Sequence, residues 1–239
     1  MMPGLEVVAV AGYLTLAAGK NPALQCVVPK APVINVTPVT KEIEYDFTKS
    51  SDELGMMHND TVNPYAAGAD TTTGGLRHDA PQVSMAVKIG YKQHSTGPVC
   101  FWYDSVAIDI QLQPKIYIAS DQAEDKKCRD AIIEHEKKHV VVDRQVINKY
   151  AQDIGKAVQE AINIAGGIGP YNPDRIEDTQ AMMTEHVKIA LESRQLALAQ
   201  EMRQRQSEVD SYEEYERVSA ICQLSQVKKY DKYKNLKQR

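Results

Sequence analysis

Residues 131–139 constrain this 239-residue chain more than any other stretch, because they set H-E-x-x-H inside a helical repeat. Histidines four apart lie on one face of a helix, close enough for their imidazoles to bind one ion. His135 and His139 share their stripe with Ile132, Val142 and Val146, while Lys137 and Lys138 fall on the opposite side. The pattern therefore predicts a helix whose imidazoles face the interior. Glu136, beside the first histidine, is then placed to take a proton from a zinc-activated water. The bland alternative is a helix whose histidines are satisfied by neighbouring carboxylates.

The chain changes character near Asp121. Before it the pattern is strand-like, over Val33–Val36, Glu42–Phe47, Val83–Tyr91 and Val99–Ser120. Residues 49–82 are rich in Gly, Asp, Thr and Asn and read as a long loop, a flap or a disordered segment, with His58 and His78 as solvated loop residues. After Asp121 almost everything reads as helix. One helix is expected from about Lys127 to Ala165, with a bend at Gly155. A Gly- and Pro-rich break follows over Gly166–Pro173, then a second helix from about Asp178 towards Leu224. The expected class is α+β, with a β-rich subdomain (26–120) packed on the H-E-x-x-H helix and a second long helix, both in a helical subdomain (121–239).

A net charge of −4 gives no ground for a nucleic-acid partner. The basic run from Lys228 to Arg239 reads as a solvated helix end. At the other terminus, the apolar run Val7–Ala18 is too short to span a bilayer. Residues 1–25 are read as an export signal, although Glu6 stands where a basic residue is expected. On that reading the mature chain has no membrane span and works in a periplasmic or secreted setting. Four cysteines, Cys26, Cys100, Cys128 and Cys222, fit an oxidising compartment and allow three pairings. Cys100–Cys128 with Cys26–Cys222 is one of them, tying sheet to helix. Trp102, in the run Cys100–Tyr103, is expected to anchor the core.

The segment Cys128–Asp143 resembles the metal-binding helix of bacterial zincins, and more narrowly that of predicted secreted zinc-dependent proteases. The resemblance implies a zincin-like fold, His135 and His139 as zinc ligands, Glu136 as general base, and a peptide or protein substrate. It fixes no third ligand, since no glycine follows His139 to turn the chain towards another histidine. Asp143 lies about 12 Å along the axis from His135, too far to share the ion, so a hydrogen bond to the His139 ring is expected of it. An antiparallel hairpin centred on Pro170 sets 135–139 opposite residues near 201–205, making Glu201 the leading third ligand and Glu208 the next. A break at Gly155 brings in Glu160, Glu177 or Glu185, with His186 an outsider. Tyr150 and Tyr212 are candidates to stabilise an oxyanion. Two other readings stand beside this one. One is a non-enzymatic envelope or interaction protein with a structural metal or none, and the other is a hydrolase acting on a different amide.

Overall fold

The computed structural model describes residues 25–57, 64–65 and 72–222. The expected export signal, apart from Gln25, lies outside those residues, as do His58 and the basic tail.

Two small sheets lie against two long helices. In the larger sheet β1 (Val33–Thr40) runs parallel to a central strand, which pairs antiparallel with its hairpin neighbour. The smaller one holds β2 (Glu44–Asp46). The stretch expected as a loop over 49–82 contains α1 (Ser51–Gly55) and β3 (Gly75–His78), both too short to show a hydrophobic period. The hairpin is β4 (Gln82–Gln93) and β5 (Val99–Leu112), and it turns at Gly97 with φ 109°. Then come β6 (Lys115–Ile118), α2 (Ser120–Ala123), and α3 (Lys126–Ala165), which runs unbroken through Gly155. The break between the long helices is itself structured, as β7 (Ile168–Tyr171) and a 3-10 turn over Pro173–Arg175. The last element with both ends described is α4 (Ile176–Val209). It stops at Asp210 instead of running on towards Leu224, and residues 212–222 form a separate helical segment.

β5 shows how the sequence places the core. Val99, Phe101 and Tyr103 face inwards at odd positions, and Val106, Ile108, Ile110 and Leu112 at even ones. The change of phase falls at a bulge, where Lys88 pairs with Ser105 but Ile89 pairs with Tyr103, so Asp104 is the extra residue. Without that insertion one half of the strand would turn its apolar side to solvent. These side chains pack on Ile147, Ala151, Ile154, Val158 and Ile162 of α3 and on Met183, Val187 and Leu191 of α4. One core therefore spans the β-rich front and the helical back. Trp102 points the other way and is only half-buried. Its ring lies over Gly90, where an added Cβ would come within 2.4 Å of the indole nitrogen.

The other half of α3 packs differently. Its N-terminus is capped by Asp125, whose side chain accepts from the backbone of Lys127 and Cys128. Ile132 and Val140 then meet Ile116 and Ile118 of the small sheet, whose order is β2-β6-β3. Residues 212–222 continue antiparallel along α3, Val218 and Cys222 pack against the same cluster, and Cys222 is disulfide-bonded to Cys128. The second disulfide joins Cys26 to Cys100. This pairing differs from Cys100–Cys128 with Cys26–Cys222: the sheet and α3 are held by packing, and each bridge fastens a terminal segment. Among the described residues no helix is long and apolar enough to cross a membrane.

Candidate metal centre

His135, Glu136, His139 and Asp143 are all buried on α3, although all four are ionisable. Burying such groups without partners costs several kcal/mol apiece, on the order of 2–7 even for neutral polar groups. The partners come from two directions.

From the side of α4, three residues spaced four apart supply them. Gln206 Oε1 lies 2.5 Å from His139 Nδ1. The carboxylate of Asp210, which caps the end of α4, faces both rings: Oδ1 is 3.1 Å from His139 Nε2 and 3.4 Å from His135 Nε2. Glu214 Oε1 lies 3.4 Å from His135 Nδ1 and accepts from Lys138 at 2.8 Å. Arg217 and Lys138 hold the Glu214 carboxyl down at about 2, so it is an anion. The two Nε2 atoms are 3.3 Å apart, with the rings nearly perpendicular.

From the small sheet comes β3. Gly75 lets α3 approach so closely that a Cβ there would sit 2.4 Å from Ile132 Cγ2 and 2.8 Å from Glu136 Oε1. Burial pushes the Glu136 pKa up, and the facing histidines and the Arg77 backbone N–H offset only part of that. The Arg77 side chain bonds to Asp79 and, at 3.1 Å, to Asp143 Oδ2. Asp143 therefore makes no bond to the His139 ring, as had been expected of it. Gln206 stands between them, giving Nε2 to Asp143 Oδ1 at 2.5 Å.

His135 Nε2, His139 Nε2 and Asp210 Oδ1 form a triangle with edges of 3.1, 3.3 and 3.4 Å. Donors on a tetrahedral zinc ion, with bonds near 2.0–2.1 Å, are about 3.3 Å apart. Both Asp210 carboxylate oxygens are buried and accept no well-formed hydrogen bond. Burial opposes the Asp210 charge, yet the two histidines outweigh it and hold its pKa below the usual range. His139 shows the converse, with burial outweighed by Asp210, Glu136 and Gln206 so that its pKa is raised. The centre attracts positive charge, and its three donors can hold a metal ion.

Glu201 is not among them. Its carboxylate bonds to Lys149 at 2.5 Å, and the carboxylate at the histidines is that of Asp210. The cause is the register of the hairpin. His139 lies opposite Gln206, Gln145 opposite Arg205 and Lys149 opposite Glu201, so the pairing is centred near residues 172–175 and not on Pro170. β7 and the 3-10 turn occupy the stretch between the two helices and move the register away from one centred on Pro170. Glu160, Glu177, Glu185, His186 and Glu208 also lie outside the cluster, which among the described residues is the one group of three such side chains near enough to share an ion. His186 instead lies 3.5 Å from the Tyr103 hydroxyl.

The tyrosines are redistributed as well. Tyr150 borders Lys149 and Glu201, and Tyr212 is half exposed with its ring edge-on to Tyr65. Tyr215 is the one beside the centre, its ring edge-on to His135 at 5.8 Å. Burial raises its pKa, and the charges of Asp210 and Glu136 raise it further. Gln206, Asp210 and Glu214 repeat at i, i+4, i+8, a spacing in the sequence that points to a polar stripe, although the helix is interrupted at Asp210.

No protein-family model, curated protein or solved structure matches the chain.

Proposed function

We propose that the chain is a zinc-dependent hydrolase of the zincin type, acting on peptide bonds, with His135, His139 and Asp210 as metal ligands and Glu136 as general base. The observation that carries the proposal is the triangle of Nε2, Nε2 and Oδ1, whose edges suit three corners of a tetrahedral zinc site. Three protein ligands leave a fourth position for water, as catalytic zinc sites do, whereas structural sites are closed by a fourth protein ligand. A zinc ion there supplies Lewis-acid activation of water and of the scissile carbonyl. Glu136, adjacent in sequence to His135 and buried with a raised pKa, takes the proton from the attacking water and hands it to the leaving amine. Tyr215, whose ring lies edge-on to His135, is the candidate donor of a hydrogen bond to the developing oxyanion.

A peptide substrate is supported by β3, an edge strand of the small sheet lying against Glu136. An extended chain can add to such an edge through main-chain hydrogen bonds. Two disulfides suit work in the periplasm or outside the cell. The rival is a non-enzymatic protein with a structural metal, favoured by the burial of all three ligands.

Zinc content and peptide hydrolysis of the wild type and Glu136→Gln decide between the two. The proposal expects one zinc per chain in both, with turnover lost in the variant by about 10²–10⁴-fold. A wild type that holds zinc but cleaves no peptide in a broad substrate screen leaves the structural-metal reading in its place.

A further inference from the structure

We infer that Gln206 is a positioning residue of this centre: clamped between Asp143 and His139, its side-chain amide fixes a proton on His139 Nδ1 and leaves Nε2 as the nitrogen that faces Asp210 and can ligate. The functional meaning rests on the metal reading above, while the tautomer itself does not.

The orientation of the amide follows from its surroundings. One end of the Gln206 side chain faces two acceptors, Asp143 Oδ1 at 2.5 Å and the His139 carbonyl at 3.2 Å. Only the NH2 group satisfies both. A flipped amide would set its oxygen against a carboxylate and a carbonyl at once. The other end is then Oε1, an acceptor without a proton, and it lies 2.5 Å from His139 Nδ1. A contact that short between two acceptors is repulsive, so Nδ1 carries the hydrogen. With Nδ1 so engaged, Nε2 is the nitrogen left facing Asp210, donating to its carboxylate when no metal is bound and free to ligate when one is.

Asp143 in turn cannot swing away. Arg77 holds its second oxygen at 3.1 Å and is itself bonded to Asp79, whose side chain is almost wholly buried. The relay runs from β3 through Arg77, Asp143 and Gln206 to a ring on α3, and it joins three elements. His135 is treated more simply, since the Glu214 carboxylate faces its Nδ1. The chain thus orients its two histidines by different devices, an anion for one and a buried amide for the other.

The test is long-range nitrogen–proton NMR of the histidine rings in metal-free wild type, together with zinc affinity by chelator competition for wild type and Gln206→Met. The expected results are a proton on His139 Nδ1 in the wild type, mixed tautomers in Gln206→Met, and zinc binding weakened about 10- to 100-fold in that variant. A bare Nδ1 in the wild type overturns the inference even if zinc binds tightly, and the measurement needs no variant to fold. Equal zinc affinity in wild type and Gln206→Met overturns the positioning role. A wild type that takes up no zinc overturns the metal reading and the role that rests on it, and the ring protonation identifies that failure separately.

Discussion

The two halves of α3 obey the same 3.6-residue period and bury opposite chemistries. From Val146 to Ile162 the inward stripe is apolar apart from the Tyr150 hydroxyl, and it packs on the inner face of β5 and on α4. From His135 to Asp143 the same stripe is His, Glu, His and Asp, with Val140 between them. The distal half gains stability simply by leaving water. The proximal half is costly to bury, and its groups are met by specific partners: Glu214 and Asp210 at His135, the β3 backbone at Glu136, Gln206 and Asp210 at His139, and Arg77 and Gln206 at Asp143. A periodicity argument treats the halves alike, and only the identity of the facing residues separates a core from a centre.

Four substitutions sharpen that contrast. The largest effect is expected at Asp210→Ala, where a ligand is lost. Zinc affinity should fall by more than the 10- to 100-fold typical of an outer partner. The metal-free variant should also unfold earlier than metal-free wild type, by about 3–5 kcal/mol, because the buried histidines lose the anion that faces them. Chelator titration and thermal melts with and without zinc check both halves of the statement. Ile154→Ala in the distal half should cost about 2–5 kcal/mol in urea unfolding. Zinc affinity should stay at the wild-type value, which separates core from centre.

Gly75→Ala drives a methyl group into Ile132 and Glu136. Overpacking of this kind costs about 1–3 kcal/mol. It should also displace Glu136 and so lower turnover more than zinc affinity. Glu201→Ala is the smallest change. It breaks a pair with Lys149 at the surface of the hairpin and should leave zinc content untouched. Loss of zinc there would restore the register that places Glu201 at the histidines.

The mixture of strands and helices, the burial of His135 and His139, and the length of α3 were all legible in the sequence, because each rests on a local period that survives packing. The carboxylate that faces the two histidines was not. It depends on where a hairpin folds, and a shift of a few residues in the turn moves the opposite helix by more than one turn. The bond between Cys128 and Cys222 would have supplied the register, since it centres the pairing at residue 175 and sets 135–139 opposite 211–215. Four cysteines leave three pairings open, so that mark could not be read in advance. α1 and β3 are illegible in the sequence for a different reason. Each is too short for periodicity, and Gly75 is there because α3 needs the space, a long-range demand that local composition presents as a loop.

The most direct test of the account is anomalous diffraction at the zinc absorption edge from crystals of wild type grown with zinc. A single peak bounded by His135 Nε2, His139 Nε2 and an Asp210 oxygen, at about 2.0–2.2 Å from each, is the result the account predicts. A peak elsewhere, or none at those three atoms, would contradict it.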